Sequence, residues 1–169
     1  DHKDETWVSY GTRTGQFHNK DNYDVLDDEI NAWLADIYAK TEQVVFVSDS
    51  CHSGTVARGE AAVNRAARID RRVYPLGKQP YRQIEKHQGI RVGATRDREP
   101  AGERKFQDGN VYGIFTWYWA SALQRAQPED SWYDVFKQTS LLTVLASGWR
   151  QQQPQIEGER NRQVFGGEF

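Results

Sequence analysis

The stretch VVFVSDSCHSGT, residues 44–55, contains the only cysteine of the chain, Cys51. Residues 44–47 form an apolar run rich in β-branched side chains and too short for a helix. Such a run is typical of a strand that is buried on both faces and parallel to its neighbour. Small and polar residues follow it, so we expect Cys51 to lie in a turn at the carboxyl end of this strand. Ligands and catalytic groups of open α/β sheets gather at that end.

Hydrophobic periodicity predicts the other elements. A helix before the strand is indicated by an apolar stripe at helical spacing, made of Leu26, Ile30, Trp33, Leu34 and Ile37. A second strand is expected over 90–95, a helix within 112–126 and another within 131–149, with short strands over 6–10 and 163–165. The helix within 112–126 should turn four residues inward: Phe115, Trp119, Ala122 and Leu123. Ser131 and Asp134 form a predicted capping box.

A helix followed by a buried strand is half of a βαβ unit, so the predicted fold class is α/β. At 169 residues, the chain corresponds to one domain, residues 1–169. Within it, residues 55–88 should form a long exposed loop with a short helix over 60–68. Loops of this length inside a domain are uncommon and are usually functional or disordered. Within this loop, residues 58–72 carry a basic run of five arginines: Arg58, Arg65, Arg68, Arg71 and Arg72.

The composition is that of a globular protein, with 37% hydrophobic and 27% charged residues and a net charge of -2. This balance gives no electrostatic reason to expect nucleic acid or an anionic membrane as a partner. No apolar run approaches the roughly 18–20 residues that cross a bilayer. One cysteine cannot form an internal disulfide, so we expect a cytoplasmic protein. The start, without methionine or signal peptide, is expected of a piece cut from a longer protein.

A lone cysteine most often acts as a small hydrophobic side chain. Around Cys51, however, Ser50, His52 and Ser53 are small or polar, and Gly54 permits a sharp bend. A backbone N–H at such a bend can stabilise an oxyanion. These features favour a nucleophile.

The motif DSCHSG, residues 49–54, resembles the catalytic-cysteine motif of the metacaspases and related bacterial caspase-like peptidases. Further stretches resemble the same family in the same order along nearly the whole chain: KDETWV, LDDEINAWL, VGATRD, YGIFTWYWASAL, and QQPQIEG with VFGG. The resemblance implies a caspase-like three-layer sandwich, with a mostly parallel central sheet flanked by helices. It also implies a cysteine endopeptidase whose early strands lie outside this chain.

The family's catalytic base is a histidine about 50 residues before the cysteine, in a Ser-Gly-His-Gly motif that this sequence lacks. His2 has the right separation from Cys51 but no flanking glycines. His52 is adjacent to the cysteine and should diverge from it, whereas His18 and His87 lie in polar segments. The resemblance therefore implies a base upstream of residue 1, either on a separate N-terminal fragment or lost from a truncated chain. The chain alone is then expected to be inactive.

Asp49 precedes Cys51 by two residues. One interpretation is a carboxylate that caps the next helix or turn. The resemblance instead implies that Asp49 lines the pocket for the side chain before the scissile bond. A carboxylate there favours a guanidinium, which binds it through two hydrogen bonds, so we expect cleavage after arginine, then lysine. Asp97, in the turn after the second strand, is a weaker candidate for the same pocket.

The resemblance also has implications for loop 55–88 and for calcium binding. Caspase-like enzymes are commonly processed in a loop after the cysteine strand, so the loop would be cut at the five arginines of residues 58–72. A basic loop that is simply solvated is an alternative of equal weight. Some metacaspases bind calcium near Asp27 and Asp28, with Asp4 and Glu5 as possible additions. A plain helix N-terminus explains those acids without metal and is favoured. No other cofactor is expected.

The leading prediction is an endopeptidase in which the Cys51 thiolate attacks a peptide carbonyl and an upstream histidine acts as base. Its partners would be a substrate with a basic residue before the cut and the segment that carries the histidine. Two alternatives stay open. The first is a catalytically inactive pseudoprotease or scaffold of the same fold, and the second is another α/β cysteine amidohydrolase.

Overall fold

The structure, a computed structural model, describes residues 6–7, 24–50, 63–64, 89–96, 99–148 and 152–164. The described residues are mixed α/β, which confirms the predicted class. In chain order the elements are β1 (Thr6–Trp7), β2 (Val25–Leu26), α1 (Asp27–Tyr38), β3 (Val45–Ser48), β4 (Val63–Asn64), β5 (Ile90–Gly93), β6 (Gly102–Lys105), β7 (Val111–Gly113), α2 (Ile114–Leu123), α3 (Trp132–Ser147) and β8 (Gln155–Gly158). None of these described helices is long and apolar enough to cross a lipid bilayer.

The central sheet has the strand order β3-β5-β8. β3 and β5 are parallel, with Ser48 opposite Gly93, so the parallel pairing predicted for the strand at 44–47 is confirmed. β8 runs antiparallel on the other side of β5, and this small sheet is therefore mixed. Because the carboxyl ends of parallel strands meet at one edge, the residues that follow β3 and β5 lie side by side.

The expected burial of the first strand on both faces is wrong. Val47 of β3 is 37% exposed, whereas Ile90 and Val92 of β5 are buried. The reason lies in the strand order, since β3 pairs with β5 on one side only within the described residues. β5, flanked on both sides, takes the central and most buried position.

The core lies where α2 and α3 cover β5. Its buried side chains come from all three elements: Ile90, Val92, Ala94, Phe115, Trp119, Ala122 and Val135. Phe115 stacks on Trp119 at 5.8 Å between ring centroids, and Trp119 stacks on Trp132 at 6.0 Å. The inward face predicted for the helix within 112–126 is confirmed, with Leu123 half-buried against this core.

The helix predicted from Leu26 onward is confirmed as α1, but its buried face differs from the predicted stripe. Leu34 and Tyr38 are buried, whereas Trp33 is 53% and Ile37 42% exposed. The Tyr38 ring packs closely against the backbone at Gly89, just before β5. This contact places Tyr38 on the buried face of α1, and Trp33 and Ile37 lie outside that face.

A second, antiparallel sheet has the order β4-β6-β7. Its β6 and β7 were not predicted, although the turn between them contains Asp108-Gly109, a strong hairpin signal. The helix expected over 60–68 is wrong at its centre, because Val63 pairs with Glu103 of β6 as a strand. The rest of the predicted loop at 55–88 lies outside the described residues, Gly89 being the next residue described.

The capping box predicted for α3 is confirmed: Ser131 N donates to Asp134 Oδ2 at 3.1 Å, and Asp134 N donates to Ser131 Oγ at 3.2 Å. The last strand was predicted at 163–165 but lies at 155–158 as β8. Gln163 forms only an isolated bridge with Ser131. The first strand is confirmed for Thr6–Trp7, which pairs with β2, and residues 8–10 lie outside the described part.

Candidate functional site

The residues that end β3 are joined to those that end β5. Ala94 N donates to Ser48 O at 2.9 Å, which extends the parallel ladder past the last residue of β5. The Thr95 hydroxyl makes a long hydrogen bond of 3.5 Å to Ser50 O. The backbone carbonyls of Ser48 and Ser50 therefore accept hydrogen bonds from the two residues that follow β5.

The side chain of Ser50 is held from a third element. Trp7 Nε1 donates to Ser50 Oγ at 3.1 Å, and the Ser48 and Ser50 hydroxyl oxygens lie 2.9 Å apart. The Trp7 ring stacks on Phe46 of β3, with 5.8 Å between centroids and an interplanar angle of 7°. β1 is thus fixed beside the end of β3.

Asp49 binds the N-terminal turn of α2. Its Oδ2 accepts hydrogen bonds from Thr116 N, at 3.2 Å, and from the Thr116 hydroxyl. The N-cap residue of α2 is Gly113, which supplies no side-chain cap, and no acidic residue lies in the first turn. Asp49 therefore satisfies one of the unpaired N–H groups and places a negative charge at the positive end of the helix dipole. This is a capping contact, made to a helix far along the chain.

The segment that follows β5 is hydrogen-bonded to the side chain of Gln152, which is 1% exposed. Its Nε2 donates to Ala94 O at 3.2 Å, and its Oε1 accepts from Gly102 N at 3.1 Å. The neighbouring Gln153 N donates to Glu99 Oε2 at 2.8 Å. Ala94, Glu99 and Gly102 thus have hydrogen-bond partners on the C-terminal segment.

Several residues that the sequence singles out lie outside the described part of the chain, and the predictions about them stay predictions. They are Cys51, the arginines Arg58, Arg65, Arg68, Arg71 and Arg72, the histidines His2, His18, His52 and His87, and the acids Asp4, Glu5 and Asp97. Of the predicted peptidase site, the structure describes Asp49 and the strand end that precedes the cysteine.

The candidate calcium ligand Asp27 begins α1, and the side chain of Asp28 is outside the described set. Leu26 N donates to Glu29 Oε2 at 3.0 Å, so one nearby carboxylate caps the helix. Across the described ranges, no group of three or more His, Cys, Asp or Glu side chains is arranged to hold a metal ion. Calcium binding remains a prediction.

Sequence reasoning missed the residues that hold the strand end, namely Trp7, Thr95, Thr116 and Gln152. One signal for Thr116 was available. A helix that begins Gly-Ile-Phe-Thr lacks its own capping side chain, and such a helix needs a carboxylate from elsewhere.

Comparisons with protein-family models, with curated proteins and with solved structures find no match to this chain. The resemblance to the metacaspases therefore rests on the motifs quoted above.

Proposed function

We propose that this chain is the cysteine-bearing part of a metacaspase-type endopeptidase with a caspase-like sandwich fold, acting in the cytoplasm on protein or peptide substrates. One observation carries the proposal. Residues 48–50, which directly precede Cys51, lie at the carboxyl end of a parallel strand and bind three other elements: β1, the end of β5 and the first turn of α2. Strand ends of this kind are where α/β enzymes carry their catalytic groups.

The proposed reaction is covalent acyl transfer. The Cys51 thiolate attacks the carbonyl carbon of the scissile bond, and a carbon–sulfur bond forms. Backbone N–H groups, including that of Cys51, hold the oxyanion. The carbon–nitrogen bond then breaks as the histidine protonates the leaving amine. Water attacks the thioester, releases the carboxylic acid product and restores the cysteine.

The base in this proposal is a histidine on a segment upstream of residue 1 or on a partner chain. The contact between Trp7 and Ser50 supports this, because it anchors the early part of the chain one residue before Cys51. A base on a segment that continues upstream from Trp7 is compatible with this anchor.

The proposed specificity is for arginine, then lysine, before the cut. Asp49 supplies a carboxylate two residues from Cys51, and a guanidinium pairs with carboxylates through two parallel hydrogen bonds. In the same proposal the five arginines of residues 58–72 are sites of self-cleavage. In this proposal the acids at the start of α1 stabilise the helix N-terminus, and calcium bound through Asp27 and Asp28 is the alternative. Nucleic acid and membrane are not proposed partners.

A pseudoprotease of the same fold is the second candidate function. The observation that favours it is the contact of Asp49 with Thr116, because a carboxylate that caps α2 has a structural role without any substrate.

Alkylation of the thiol separates these two functions. Cys51 is the only cysteine of this chain, and peptide mapping after iodoacetamide labelling reports on its own peptide even where an upstream extension adds cysteines. The protein would be extended upstream through the proposed histidine-bearing segment, and the same protein in urea would supply the rate of an ordinary thiol. We expect labelling of the folded protein at about pH 6 to be at least about tenfold faster than in urea, because an activated cysteine is a thiolate at that pH. Equal rates would contradict the endopeptidase and favour the pseudoprotease.

A further inference from the structure

The Asp49–Thr116 contact joins the segment before Cys51 to α2, a helix with four buried side chains. α2 is anchored by Phe115, which is 0% exposed, and by Trp119, which is 8% exposed. Thr116 follows Phe115 directly but is itself at the surface. Its hydroxyl is therefore not part of the core, and its hydrogen-bond partner is Asp49.

The contact is also chemically stronger than the others on the same segment. Two donors of Thr116, the backbone N–H and the hydroxyl, converge on one carboxylate oxygen. Hydrogen bonds to an ionised acceptor are about twice as strong as those between neutral groups. The contacts from Trp7 and Thr95 to Ser50, by comparison, join neutral partners.

We propose that Thr116 is a positioning residue for the nucleophile. By holding Asp49 on the first turn of α2, it fixes the backbone of residues 49–50, which directly precede Cys51 in the sequence. This inference rests on the proposed endopeptidase function. Loss of the Thr116 contact should then slow the chemical step, because a misplacement of about 1 Å at a reacting group lowers rates by up to about a hundredfold.

The test uses three variants of the upstream-extended protein. Thr116→Val removes the hydroxyl at constant shape, and Thr116→Ser keeps it. Thr143→Val is the matched control, because it makes the same chemical change at a buried position of α3. Fluorogenic peptides ending in arginine and in lysine would be hydrolysed at a temperature below the unfolding of every variant.

We expect Thr116→Val to lower kcat about tenfold on both peptides with KM within about twofold of wild type, as for a group that positions the nucleophile. Thr116→Ser should restore kcat, and Thr143→Val should leave both constants unchanged. A wild-type kcat in Thr116→Val would overturn this inference alone. A rise in KM for these peptides with kcat retained would also overturn it and would assign Thr116 to substrate recognition through Asp49. Absence of Cys51-dependent hydrolysis in the wild type would overturn the proposed function and this inference together.

Discussion

Two threonines one turn apart on α3 show how differently the same side chain can be accommodated in a core. Thr139 and Thr143 are both completely buried. The Thr139 hydroxyl donates to Val135 O at 2.8 Å. In the described part of the chain the Thr143 hydroxyl has no hydrogen-bond partner. Burying an unsatisfied hydroxyl costs about 1–3 kcal/mol.

Thr143→Val should therefore stabilise the protein by about 1 kcal/mol, because valine has the same shape and no polar atom to leave unsatisfied. Urea unfolding at constant m-value would measure the change. Thr139→Val is the matched control and should give no such gain, since it removes a hydroxyl that is already bonded. A loss of stability in Thr143→Val would show that its hydroxyl has a partner.

The buried phenol of Tyr38 predicts how the stability of the protein depends on pH. Burial raises the pKa of its phenol above the usual 10.0, and this effect outweighs that of the nearby Arg91 guanidinium, which lowers it. The folded state therefore holds the proton more tightly than the unfolded state. The resulting stability is fully present below about pH 10 and is lost as the pH rises through the higher pKa of the folded state.

Between about pH 8 and about pH 11, wild type should lose more stability than Tyr38→Phe, which has no phenolic proton. Thermal unfolding of both proteins across this range measures the difference. Parallel loss in the two proteins would show that Tyr38 does not titrate differently on folding.

At the scale of elements, the close approach of β8 to β5 depends on two glycines. Gly158, the last residue of β8, has a φ of 96° and faces Gly89, which has a φ of 61°. A Cβ on Gly158 would overlap the carbonyl oxygen of Gly89, a backbone atom that cannot turn aside.

Gly158→Ala should destabilise the protein by more than about 2 kcal/mol, because steric overlap adds to the about 1–2 kcal/mol of a left-handed backbone. Gly109→Ala separates the two effects. Its φ is 84°, but its Cβ would meet only the end of Lys105, at 4.0 Å. We expect Gly109→Ala to cost the backbone part alone, about 1–2 kcal/mol. Equal losses in the two variants, measured by denaturant unfolding, would contradict the close packing of β8 on β5.

The helices could be predicted from the sequence because each carries its own signal. α1 has a periodic apolar stripe, α2 has a run of large apolar side chains, and α3 has the Ser131–Asp134 box. β6 and β8 could not, because GERK and QIEG are polar strands whose pairing depends on distant partners. The alanine-rich stretch around Val63 favours a helix by propensity, yet at 63–64 the pairing with β6 prevails.

At the scale of the whole molecule, the location of the candidate site could be predicted from the sequence, but the residues that hold it in place could not. An apolar run followed by small polar residues marks a strand end, and the structure describes that end up to Ser50. The partners of this segment come from β1, from the residues after β5 and from α2. Nothing in the local sequence around Asp49 indicates that its carboxylate meets Thr116, because that contact depends on the tertiary fold.

The central claim is that Cys51 is the nucleophile of a peptidase that cuts after basic residues. The most direct measurement is hydrolysis of fluorogenic peptides ending in arginine, lysine or aspartate, by this chain and by the upstream-extended protein, with and without calcium. We expect the extended protein alone to cleave, after arginine and then lysine but not aspartate, and Cys51→Ala to lower the rate at least about a thousandfold. Equal cleavage by this chain would place the base among its own four histidines. Hydrolysis that survives Cys51→Ala, or none by the extended protein, would contradict the claim.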